Sequence, residues 1–157
     1  MRTRPRRTTV SLVPLVAALL GSLLLPLTAC SQDPFEAYCD EVLAQREDLS
    51  EAVADGGPGA LVAALPHLEA LEEEAPRDIR DEWDLVVGRV GELRDALEDA
   101  GVDPASYDRE DRSTDVSAAQ RARIDAAARE LAARPTVEAL AGVQQQARDV
   151  CGTPLTL

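Results

Sequence analysis

Residues 76–101, PRDIRDEWDLVVGRVGELRDALEDAG, decide the fold. Their apolar side chains fall at Ile79, Trp83, Val86, Val90, Leu93 and Leu97, with spacings of four, three, four, three and four. At 3.6 residues per turn that alternation aligns all six on one stripe, so the segment is an amphipathic helix with a single face to bury. Pro76 suits a first helical position, where a missing N–H costs nothing, and Gly101 suits the left-handed residue that ends a helix.

The same period extends in both directions. Upstream, Asp33-Pro34-Phe35-Glu36 has the form of a helix start, and Phe35, Tyr38, Val42, Leu49 and Val53 form a stripe interrupted by Gln45 and Arg46. Gly56-Gly57-Pro58-Gly59 separates this helix from a second with Leu61, Leu65, Leu68 and Leu71 inward, in which Pro66 is expected to introduce a kink. Downstream, Val102 to Val116 reads as an acidic, proline-containing loop. Ser117-Ala118-Ala119-Gln120 has the capping-box pattern and opens a fourth helix to about Ala133. Pro135 opens a fifth, with Val137, Leu140, Val143, Gln144, Ala147 and Val150 on or beside its inner face and Gly152 after its last turn. No alternating β-branched run occurs. The expected fold is therefore all-α, a small antiparallel bundle of four to five helices.

The amino-terminal segment carries an address. Arg2, Arg4, Arg6 and Arg7 precede an apolar run from Val10 to about Leu27, and Pro14 and Pro26 leave it short of the ~20 residues a membrane span needs. Leu27-Thr28-Ala29-Cys30 resembles the lipobox of bacterial lipoproteins. The resemblance implies cleavage after Ala29 and a diacylglycerol thioether on Cys30, with the protein at the outer face of the cell membrane. The Arg6-Arg7 pair is followed by Thr8-Thr9 rather than a bulky apolar residue and reads as ordinary signal charge, not as twin-arginine export. The expected organisation is a signal peptide at 1–29, a lipidated cysteine and tether at 30–34, and a helical domain at 35–157.

With Cys30 acylated, Cys39 and Cys151 remain as an even pair in an exported chain, which predicts a disulfide. A redox couple is commonly spaced Cys-x-x-Cys and a zinc site needs further ligands, yet these cysteines frame the domain and His67 is the only histidine. Such a bridge sets the first helix antiparallel to the last and requires an even number of traverses. Either the loop 102–116 runs back along the bundle, or helices four and five form one traverse bent at Pro135.

Charge narrows the partners. Residues 1–29 hold four Arg and no acid, so their removal leaves 12 basic against 29 acidic residues, a net charge of −17 over 128 residues. That field repels phosphate and excludes nucleic acid as a natural partner, while favouring a basic or cell-envelope protein. Lysine is absent, so Schiff-base chemistry is excluded. The chain also resembles a group of small lipoproteins from high-GC actinobacteria. The resemblance rests on Phe35-Glu36-Ala37-Tyr38-Cys39, on residues Ala75 to Trp83, on Gly101-Val102-Asp103-Pro104 and on Val150-Cys151-Gly152. It implies a lipid-anchored helical domain with paired cysteines and no activity.

Candidate site residues each have a plainer alternative. Glu72-Glu73-Glu74 crowds a helix end whose dipole disfavours anions, which suits either a cation or three solvated carboxylates. Asp103, Asp108, Glu110, Asp111 and Asp115 lack the spacing of a calcium loop, and no metal or cofactor is expected. Trp83 is expected to be a core anchor, His67 a structural residue, and Gly88 and Gly91 points of close packing. No catalytic signature is present, so the leading expectation is a non-enzymatic, membrane-tethered interaction or envelope module. The alternative is a small-ligand carrier or enzyme using carboxylates in a cleft of the bundle.

Overall fold

Five α-helices form among the described residues: α1 (Glu36–Ala54), α2 (Gly57–Glu73), α3 (Arg80–Asp99), α4 (Ala118–Leu131) and α5 (Arg134–Cys151), with a 3-10 turn at Pro104–Ser106. The computed structural model describes residues 34–54, 56–107 and 115–157. The signal peptide, Cys30 and its tether, the Asp33 cap, and Asp108, Glu110 and Asp111 of the acidic loop lie outside the described residues.

Local chemistry accounts for most helix ends. Ser117 accepts from the Gln120 amide while the Gln120 side chain accepts from the Ser117 amide, a complete capping box. At the end of α3, Gly101 adopts φ 68°. Its amide bonds Glu98 O at 2.8 Å and that of Val102 bonds Leu97 O at 3.1 Å, the paired bonds of a Schellman stop. Gly152 closes α5 in the same left-handed conformation, φ 67°. Two starts come later than expected. Pro34 and Phe35 form a turn before α1, and residues 76–79 form a turn before α3, so that Ile79 is the cap and Pro76 lies outside the helix rather than at its first position. The helix α2 is continuous through Pro66, which lies on its exposed face.

The expected stripe of α3 is buried along its whole length, with Trp83 and Leu97 fully excluded from solvent. α3 packs against α2, α4 and α5, while α1 packs against α2 and meets α5 at the Cys39–Cys151 disulfide. The parity question is thereby resolved. Gln120 Nε2 donates to Asp99 O at 3.1 Å at the carboxyl end of α3, and Arg89 Nη2 lies 3.9 Å from Glu130 ten residues earlier on α3. Gly142 of α5 then passes Ile79 and Glu82 near the start of α3. α4 and α5 therefore descend α3 in sequence as a single bent traverse. The joint is tied by the buried Thr136 hydroxyl, which donates at 2.9 Å to Glu130 O, a last-turn carbonyl of α4 that also accepts from the Ala133 amide at 3.1 Å.

The inner face of α5 differs from expectation. Thr136, Ala139, Val143 and Ala147 are buried, whereas Val137 and Val150 are exposed. The break between the helices falls at Ala132 and Ala133, ahead of Pro135, and α5 turns Thr136, Ala139, Val143 and Ala147 inward while Val137 stays at the edge of a cleft. Gly88 and Gly91 are not points of close packing either. A Cβ at Gly88 would meet nothing within 4 Å, and one at Gly91 only the tip of Arg94. The tight glycine is Gly59, where a Cβ would lie 2.6 Å from Pro104 O, so the 3-10 turn rests directly on the α2 backbone.

Residues 153–157, for which the sequence suggested no element, form a strap. Leaving the Gly152 turn, they lie beside α1, where Arg46 Nη1 donates to Thr153 Oγ1 at 2.9 Å and the Leu157 amide donates to Ser50 Oγ at 2.7 Å. Leu155 is buried in the main core with Trp83, Val90 and Val143. The strap thus occupies the space between α1 and α5 beyond the disulfide.

Candidate functional site

Beside the strap lies a cleft of about 290 Å³ that reaches the centre of the bundle. Leu49 and Val53 of α1, Leu61 and Leu68 of α2, Val86 and Val90 of α3 and Leu140 of α5 supply most of its wall, and Leu155 of the strap closes one side. Val137, about half exposed, stands at the mouth with Gln144 and Thr156. None of the described residues lining the cleft titrates. The arrangement can therefore hold apolar matter and offer a few uncharged hydrogen-bonding groups at its edge, and it brings no acid–base pair or nucleophile of the usual kind together.

The residues singled out from the sequence lie elsewhere. Trp83 is the core anchor expected of it, and its Nε1 donates at 3.3 Å to the buried Tyr38 hydroxyl. The two rings meet edge to face with centroids 6.4 Å apart. Burial pushes the Tyr38 phenol above its ordinary range, the Trp83 hydrogen bond opposes this, and Asp78 adds to it. His67 Nδ1 is 2.7 Å from Gln45 Oε1, and Gln45 Nε2 donates at 2.6 Å to Glu41, a short chain of hydrogen bonds joining α1 to α2. The polar interruption in the α1 stripe thus has a purpose on both counts: Gln45 meets α2 and Arg46 meets the strap.

Glu72 lies in the last turn of α2 without a base in that turn. Partial burial raises its carboxyl above the ordinary carboxylate range, and the adjacent Asp84, then Glu69 and Glu73, raise it further. A second, more open concavity between α3 and α5 is lined by Asp81, Glu82 and Glu138 around Leu85, Pro135 and Gly142, and Glu138 is paired with Arg134 at 2.7 Å. Asp103 caps the 3-10 turn by accepting from the Ala105 amide at 3.0 Å. Among the described residues no group of three or more His, Cys, Asp or Glu side chains is placed to hold a metal ion. Nor is any helix among them long and apolar enough to cross a membrane.

Comparison with known proteins finds no family model, no curated protein sequence and no solved structure that matches this chain.

Proposed function

We propose that this chain is an exported lipoprotein held at the outer face of the cell membrane through Cys30, where its helical domain acts by binding rather than by chemistry. The anchor is supported by Leu27-Thr28-Ala29-Cys30 behind an arginine-led apolar run. One observation carries the binding role: the cleft beside the strap is walled by aliphatic side chains, and none of the described residues lining it titrates. Around it, the acidic surface of the domain suits a basic or envelope protein partner and repels nucleic acid.

A second reading, a carrier or enzyme using carboxylates, draws on the groove where Asp81, Glu82 and Glu138 converge. Those side chains lie near the surface rather than in a dry pocket, so the first reading is preferred. Detergent phase partition tests the anchor: wild type enters the detergent phase and Cys30→Ala leaves it. If Cys30→Ala protein that has lost residues 1–29 stays as firmly membrane-bound, the anchor is refuted. Complementation of a deletion strain separates the two roles. A folded Asp81→Asn, Glu82→Gln, Glu138→Gln variant complements if the domain only binds through the cleft, and fails if carboxylate chemistry is its task.

A further inference from the structure

We infer that the cleft between α1, α5 and the strap is a binding site for one hydrocarbon chain of an uncharged lipid, admitted by displacement of residues 153–157. This deepens the binding role proposed above and rests on it. The size of the cleft fixes the size of the guest. A dry cavity of about 150 Å³ accepts the six carbons of benzene, so a volume of about 290 Å³ accepts roughly ten to twelve. Its shape selects a chain over a fused ring. From Thr136 to Gln144 the α5 wall is roughly 12 Å long at 1.5 Å per residue. The volume then leaves a bore of about 5 Å, room for a single file of methylenes in contact with walls ~3.5–4 Å away.

The mouth selects the head group. On its rim Gln144 and Thr156 offer an amide and a hydroxyl, both without charge. Among the described residues no cation lines the cleft to pair with a carboxylate or phosphate, and the strongly acidic domain disfavours an approaching anion. A hydroxyl, ester or amide head satisfies the rim without leaving a charge unpaired. The strap supplies the entrance. It is pinned by Thr153 to Arg46, by Leu157 to Ser50 and by the insertion of Leu155, whereas the helices behind it are fixed by the disulfide. Lifting it breaks these hydrogen bonds and withdraws Leu155 from the core, while the contacts between helices stay in place.

The mature protein in phosphatidylcholine nanodiscs, irradiated with dodecanol carrying a terminal diazirine and digested for mass spectrometry, tests this. Adducts are expected within residues 49–53 and 136–144. They should fall at least ten-fold with excess 1-dodecanol, and excess dodecanoate should compete at least ten-fold less well. Ala64→Leu places three further carbons in the cleft and should reduce labelling at least ten-fold. Val137→Asp does the same at the exposed mouth without disturbing the core; far-UV circular dichroism reports that both variants fold. Labelling that is scattered over the surface, or unchanged in folded Val137→Asp, overturns the site, and equal competition by dodecanoate overturns the uncharged head. The same digests report the mass on Cys30. A diacylglycerol-modified Cys30 with an unlabelled cleft refutes this inference alone, and an unmodified Cys30 with a labelled cleft refutes the anchor alone.

Discussion

Trp83 donates its indole N–H to the hydroxyl of Tyr38, 45 residues away, with both side chains sealed inside the bundle. This bond joins the first turn of α1 to the first turn of α3, close to the covalent link between α1 and α5. One pole of the molecule is therefore held by an aromatic pair and a disulfide together. The strap that leaves this pole is held instead by the packing of Leu155 and by hydrogen bonds to Arg46 and Ser50.

Tyr38→Phe keeps the ring and removes the acceptor, leaving a buried N–H unsatisfied. The expected loss is about 1–3 kcal/mol in equilibrium urea unfolding, followed by the fluorescence of the single tryptophan. A Tyr38→Phe variant as stable as wild type would show that the bond contributes nothing net.

The disulfide spans 112 positions. On the chain-entropy model a loop of that size stabilises by roughly 4–5 kcal/mol, so Cys151→Ser should lower the thermal midpoint by roughly 10–20 °C. In the native oxidised protein neither Cys39 nor Cys151 should react with a thiol reagent until denaturant is added.

Two glycines should respond with opposite signs. Gly59→Ala drives a methyl group against Pro104 O, which is backbone and cannot swing away, so a loss of about 1–3 kcal/mol is expected. Gly88→Ala lies in open space in the middle of α3 and should gain up to about 1 kcal/mol through helix propensity. Parallel denaturant titrations of the two variants check both signs.

Glu72 binds its proton more tightly in the folded chain than in the unfolded one, because burial and then Asp84 disfavour its charge. In the window just above the ordinary glutamate range the native state therefore holds more protons, and this residue makes stability fall as pH rises through its folded pKa. Glu72→Gln should stabilise the protein at neutral pH and flatten that part of the profile. Unfolding midpoints measured from pH 4 to pH 8 for both proteins decide it, and an unchanged slope would exclude Glu72 as its source.

How much of this was legible in the sequence depends on the range of the cause. The α3 stripe, the Ser117 capping box, the glycine stops and the cysteine pairing were readable, because each is set by neighbours within a turn or by counting. Gln45 and Arg46 could be seen only as breaks in a pattern, since their partners, His67 and Thr153, are 22 and 107 positions away. Gly88 and Gly91 looked like contact points because glycine in a helix is costly, yet the contact fell at Gly59, inside a glycine-rich turn that explained itself locally. The cleft left no mark at all. Leu49, Leu61, Val86 and Leu140 are spaced as core residues are, and only the tertiary arrangement of four helices and the strap makes them a wall.

Because Cys151 is the last residue of α5, the strap lies outside the loop that the disulfide closes between Cys39 and Cys151. The strap is therefore expected to open while that loop stays native. In hydrogen-exchange terms, the Leu157 amide, bonded to a serine hydroxyl rather than to a helix, is expected to exchange through a low-energy opening, and the amides of the buried helix α3 through global unfolding. Reduction weakens the distinction, because α5 is then held to the bundle by non-covalent contacts alone, as the strap is. The oxidised chain is a scaffold with one detachable edge; in the reduced chain that edge is less sharply set apart.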